Sequence, residues 1–169
     1  MKIKLAKINQ KNDIFKVYEN CKKRLEAENI YQWNENYPTL EIIENDILSS
    51  YLYILTDEKE IIGAINLSSI QEKEYDNVNW SCKSENVLVI HRLAVEPKYQ
   101  NLGYAKILMD FAEKYALENK FNAIRLDAFS GNERILRFYE QRNYLKQGEI
   151  FFPERDLPFY CYEKQIVEK

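Results

Sequence analysis

The sequence predicts a mixed α/β fold, and three observations carry that expectation. Runs rich in strand formers alternate with stretches whose apolar residues recur every three or four positions. In the middle, a strand over 87–95, a helix from Gly103 and a strand over 123–128 follow one another, a crossover that requires at least one parallel pair. Towards either end, neighbouring strand runs are joined by short polar segments, Asp57-Glu58-Lys59-Glu60 and Pro153-Glu154-Arg155-Asp156-Leu157-Pro158, which reverse the chain as hairpins do.

The elements follow in order. Residues 2–8 alternate as a short strand, and the polar stretch Asn9–Asp13 connects it to a helix. That helix has Ile14, Val17, Tyr18, Cys21 and Leu25 as its stripe and runs to about Glu28. Tyr31-Gln32-Trp33-Asn34-Glu35-Asn36-Tyr37-Pro38 is aromatic but aperiodic, a loop whose bulky side chains suit binding or core cover. Thr39 is placed to N-cap a second helix reaching about Ser50. Tyr51–Leu55 and Ile61–Ile70 form a hairpin, and 71–86 is charged and irregular apart from Val78 and Trp80. Val87–Val95 is almost wholly apolar, as a strand covered on both faces should be, and Pro97 ends its ladder. The helix that follows ends near Asn119. Strand Ala123–Ala128 precedes a short helix, Asn132–Arg142, with stripe Ile135, Phe138 and Tyr139, and strands Tyr144–Phe152 and Phe159–Ile166 close the chain.

With 169 residues, 46% of them hydrophobic and 30% charged, the chain suits one domain over 1–169 with a sizeable core. Aromatic residues reach 14%, including thirteen tyrosines, enough to line both a core and a pocket. A net charge of −3 offers no long-range attraction to nucleic acid or to an anionic membrane. The N-terminal residues interleave charge with apolar side chains, unlike a signal peptide, and no run approaches the length of a membrane span. Cys21, Cys82 and Cys161 are odd in number and far apart, so neither a disulfide framework nor a metal site is expected, and a cytoplasmic location is.

The chemistry concentrates after Val95. A strand, a short turn and a helix start stripped of bulk at Gly103 and Ala105 leave unpaired N–H groups and a partial positive charge facing outward, which is an anion site. Only four glycines exist, at 63, 103, 131 and 148, so neither a dinucleotide fingerprint nor a Walker loop can be assembled.

Gln100-x-x-Gly103-x-Ala105, placed between a buried strand and an amphipathic helix, resembles motif A of the GNAT superfamily, the Gcn5-related N-acetyltransferases. The order of elements is similar to that fold along essentially the whole chain. The resemblance implies a mixed, mostly antiparallel sheet of about seven strands with four helices on both faces. It implies acetyl-CoA as acyl donor, with no metal, and a primary amine as acceptor that attacks the thioester directly. On that reading Gln100, Asn101, Leu102, Gly103, Tyr104 and Ala105 hold the pyrophosphate, and the main chain of Leu93, Ala94 and Val95 meets the thioester carbonyl and the pantetheine arm. Asn132 hydrogen-bonds the pantetheine amides, and Tyr139, in Asn132-Glu133-Arg134-Ile135-Leu136-Arg137-Phe138-Tyr139, is the general acid. A phenol stays protonated at neutral pH yet can yield its proton to a thiolate.

Many relatives carry a glutamate base on the motif A strand, but the aligned position here is Val89. His91, on the same strand face, is the candidate base, ahead of Glu35, Glu85, Asp127 or a water chain. Trp33, Glu35 and Trp80 are the expected acceptor contacts, suited to a small cationic amine. Lys98, Lys106 and Arg142 are basic residues that could approach the phosphates. The missing glutamate keeps a second reading open, a non-catalytic acyl-CoA-binding or regulatory domain. The aromatic surplus is compatible with a homodimer.

Overall fold

A computed structural model describes residues 1–58 and 60–166; Lys59, within the first polar reversal, lies outside them. Among the described residues, seven strands and four α-helices form: β1 Lys2–Leu5, α1 Lys11–Ala27, α2 Leu40–Leu48, β2 Leu52–Asp57, β3 Glu60–Ser68, β4 Val87–Val95, α3 Tyr104–Glu118, β5 Ala123–Phe129, α4 Glu133–Gln141, β6 Leu145–Ile150 and β7 Phe159–Gln165. The sheet order is β1-β2-β3-β4-β5-β7-β6. The β1–β2, β2–β3, β5–β7 and β6–β7 pairs are antiparallel, and β4–β5 is parallel, as the central crossover requires. Among the described residues no helix is long and apolar enough to cross a membrane.

Two compact units can be distinguished, Met1–Leu67 with His91–Ala112, and Ser68–Ile90 with Glu113–Lys169. In the first, α1 buries Ile14, Val17, Tyr18, Cys21 and Leu25, the stripe the sequence marks out. The strand expected over 2–8 is shorter, because Ile8–Gln10 winds into a 3₁₀ turn that leads directly into α1. Thr39 caps α2 by accepting the Ile42 N–H through Oγ1 at 3.3 Å. The core of this unit joins these side chains to Ile43, Ile47, Leu52, Ile54 and Trp33.

Gly63 shows how closely β3 approaches β4. A Cβ there would lie 2.6 Å from the Ala94 carbonyl oxygen and 3.1 Å from the Leu108 side chain. Only a residue without a side chain lets the two main chains approach that closely.

In the second unit Arg125 on β5 lies opposite Glu163 on β7, and Nε meets the carboxylate at 2.9 Å with both side chains buried. The rest of that guanidinium donates to Gln71 Oε1 and to the Cys82 carbonyl at 2.7 Å each. Glu163 in turn accepts the Cys82 N–H at 2.8 Å. The irregular stretch between β3 and β4 is thereby tied to β5 and β7 by a buried ion pair, which explains how so charged a segment stays ordered.

Candidate active site

The turn after β4 begins where Glu96 N–H donates to the Ile62 carbonyl at 2.8 Å and Pro97–Tyr99 forms one 3₁₀ turn. Asn101 and Gly103 are both left-handed, at φ 64° and 86°. Residues of alternating hand turn successive N–H groups toward one side, a concavity that favours anions. The first helical bond of α3 runs from Ile107 N–H to the Gly103 carbonyl at 3.2 Å, so the N–H groups of Tyr104, Ala105 and Lys106 have no partner within the helix. Its chain neighbours aside, no heavy atom lies within 4 Å of a Cβ built on Gly103, so the space a side chain would take there is open.

Gln100, expected to hold the pyrophosphate, and Lys98 and Lys106, which could approach it, all have partners in the protein. Gln100 Nε2 donates to the Val95 carbonyl at 2.9 Å, pinning the turn to the strand end. Lys98 is ion-paired with Glu60, which also accepts from the Tyr99 hydroxyl. Lys106 pairs with Asp110 at 2.9 Å along the exposed face of α3. What the turn offers an anion is therefore chiefly main chain.

On β4, Val89 is fully buried and His91 is 9% exposed. The next residue departs from strand geometry: Arg92 is left-handed at φ 51°. A side-chain-bearing residue held there costs about 1–2 kcal/mol unless its surroundings compensate. They do. Arg92 Nη2 and Nε meet both oxygens of Asp46 on α2 at 2.7–2.9 Å, and Nη1 donates to the Tyr37 hydroxyl at 2.7 Å. The Tyr18 hydroxyl donates to the Arg92 carbonyl at 2.8 Å. Burial pushes the Asp46 carboxyl up from the usual range, and the guanidinium, with Asn66, pulls it back. Burial also works against the Arg92 charge, but Tyr37 and Asp46 outweigh it. Farther along, the Cys21 thiol, raised to about 12 by burial and by Glu96, reaches the Val95 carbonyl at 3.1 Å.

In the second unit, Asn132 caps α4, its Oδ1 accepting the Ile135 N–H at 3.3 Å. Tyr139 is 5% exposed, with ring neighbours Phe138, Tyr144 and Tyr162 at 5.5, 5.9 and 6.3 Å. Burial, then the charge of Asp127, raises its pKa, with Arg142 opposing, so the phenol keeps its proton well past neutrality. Asp127 itself accepts from the Tyr75 hydroxyl at 2.6 Å.

The expected acceptor contacts differ in their surroundings. Glu35 is exposed on its loop. Both tryptophans belong to the cores of their units rather than to an open wall. Trp33 is 8% exposed and edge-on to Tyr18 at 5.6 Å. Trp80 is 7% exposed, donates its indole N–H to the Tyr75 carbonyl at 3.1 Å, and carries the Arg125 guanidinium 4.4 Å over its ring. In both cases a partner from another element decides the placement, Tyr18 of α1 against Trp33 and Arg125 of β5 over Trp80.

Sequence reasoning missed the Asp46–Arg92–Tyr37 cluster. Its sequence signals are Asp46, an acid on the stripe Ile43, Asp46, Ile47 that α2 buries, and Arg92, a cation in the apolar run of β4.

Comparison with known proteins agrees with this architecture. The model of the acetyltransferase (GNAT) family matches residues 13–144, and the chain belongs to that family. An uncharacterised N-acetyltransferase of Oceanobacillus iheyensis is 31% identical over 116 residues, covering 69% of this chain; the chain matches 64% of the length of that relative. Two GNAT-family acetyltransferase crystal structures share the fold. That from Streptococcus agalactiae has a TM-score of 0.84 at 21% identity, covering 99% of this chain and 96% of that one. That from Listeria monocytogenes has 0.77 at 20% identity, covering 97% and 94%.

Proposed function

We propose that the protein, acting as one domain over 1–169, moves an acetyl group from acetyl-CoA to a primary amine by direct attack, with a small cationic amine favoured over a protein. The observation that carries this reading is the open, amide-lined corner at Gly103, which suits a diphosphate. Acetyl-CoA supplies an activated thioester, and the residues of this chain supply the rest. The amides of Asn101–Ala105 bind the pyrophosphate, with Gln100 bracing the turn from behind. An N–H within Leu93–Val95 donates to the carbonyl oxygen as negative charge gathers on it. Asn132 would hydrogen-bond the pantetheine amides. Tyr139, held protonated by burial, gives its proton to the departing thiolate. His91, or water in its place, takes the proton the attacking amine sheds. Glu35 attracts the cationic end of the acceptor. A cytoplasmic location fits the three free cysteines.

The test is thiol release from acetyl-CoA across a panel of primary amines. Turnover is expected with at least one amine, and Tyr139→Phe should lower it by roughly a hundredfold or more. CoA affinity without turnover on any amine would replace the enzyme by the acyl-CoA-binding reading. Full turnover in Tyr139→Phe would remove the acid assignment alone.

A further inference from the structure

Regular strand backbone alternates the direction of its N–H groups, and a left-handed residue inside the strand breaks that alternation. Arg92 is such a residue, and it stands immediately before Leu93. Its conformation is fixed from both sides of the chain. The side chain is gripped by the carboxylate of Asp46, on α2, and by the Tyr37 hydroxyl, and the carbonyl accepts from Tyr18 on α1. The other end of the same short stretch is fixed too, since the Val95 carbonyl accepts from Gln100 Nε2 and the Cys21 thiol. Between them the Ala94 carbonyl rests against Gly63. Three residues of main chain are thus held at both ends and along their back by α1, α2, β3 and the aromatic loop.

We propose that Arg92 is a positioning residue, whose clamp to Asp46 and Tyr37 imposes its left-handed backbone and so aims an N–H within Leu93–Val95 at the reacting carbonyl. The inference rests on the acetyl-transfer reading above. A donor fixed before the reaction begins needs no reorganisation as charge develops, and a clamp of two hydrogen-bonding partners around a planar guanidinium fixes direction as well as distance. Lysine cannot replace it, because one ammonium does not span a bidentate carboxylate and a phenol at once. The clamp also ties that N–H donor to the loop that carries Trp33, Glu35 and Tyr37, so a change in that loop is felt at β4.

The experiment uses the full chain with two gentle variants, Asp46→Asn, which keeps shape and removes charge, and Tyr37→Phe, which removes one hydroxyl. In ¹⁵N-labelled protein both should displace the Leu93, Ala94 and Val95 amide resonances. With the best amine of the panel, kcat should fall by at least about tenfold while the dissociation constant for CoA stays within about threefold, and Arg92→Lys should lower kcat likewise. Unmoved resonances in both variants, or an unchanged kcat with only a lower melting temperature, would overturn the proposal and leave the cluster as a structural ion pair. Should the wild-type chain release thiol with no amine, it is the acetyl-transfer reading that fails, and the resonances alone then decide whether the clamp sets the strand.

Discussion

Gly103→Ala separates the conformational role of the turn from its role toward a ligand. Gly103 lies at φ 86°, and a Cβ built on it meets no heavy atom within 4 Å. The new methyl group therefore collides with nothing in the protein, and the substitution costs only the strain of a left-handed alanine, about 1–2 kcal/mol. For a chain of this size that lowers the melting temperature by roughly 2–8 °C. An anion seated on the Asn101–Ala105 amides, by contrast, would meet the methyl group directly. Losing one charge-assisted hydrogen bond, about 1.5–3 kcal/mol, weakens CoA binding by roughly ten- to a hundredfold. Calorimetric titration with CoA and thermal denaturation of the same preparations give both numbers. Acetyl-pantetheine, which lacks the pyrophosphate, is the control, and its turnover should be nearly unchanged. If Gly103→Ala melts lower yet binds CoA as the wild type does, within about twofold, the turn is not the diphosphate site and the reasoning behind it fails.

Three further outcomes are expected. Gly63→Ala forces a Cβ against the Ala94 carbonyl oxygen, a main-chain atom that cannot swing aside, so β4 must shift. It should cost about 1–3 kcal/mol in thermal denaturation and slow thiol release as well, whereas unchanged turnover would detach Ala94 from the reaction. Glu163→Ala strands the buried Arg125 charge, a loss of about 3–5 kcal/mol, and the Arg125→Met, Glu163→Met double variant should recover much of it; equal melting temperatures for wild type and Glu163→Ala would refute the estimate. The pH profile follows from the raised Tyr139 pKa. The phenol is the acid in its protonated form, and raising its pKa extends that form to higher pH, so kcat/KM should climb as the amine deprotonates and show no descending limb from Tyr139 below about pH 10. A descending limb centred lower and abolished in Tyr139→Phe would contradict this.

How far the sequence reveals this molecule depends on how local each feature is. The turn at Gln100–Ala105 is legible because adjacent residues dictate it: Pro97 stops a strand, Gly103 permits a left-handed corner, and the stripe from Tyr104 starts a helix. The Thr39 cap and the α1 stripe are legible for the same reason. Asn132 is half legible. Its place ahead of Phe138-Tyr139 suggests a ligand contact, yet its oxygen caps α4, a role its neighbours announce equally well. Trp33 and Trp80 look like pocket residues in a polar loop, but whether an aromatic ring lines a cleft or seals a core depends on what packs over it, and Tyr18 and Arg125 come from other elements. Asp46 and Arg92 are less legible still, since neither residue type forecasts burial and their pairing spans 46 positions. What the sequence does hold is the cost of misreading them. An acid in the buried stripe of α2 must be neutralised by some cation, and a cation on an otherwise apolar strand needs an acid. Each requirement calls for an oppositely charged partner, and only the fold, which packs α2 beside β4, selects which one.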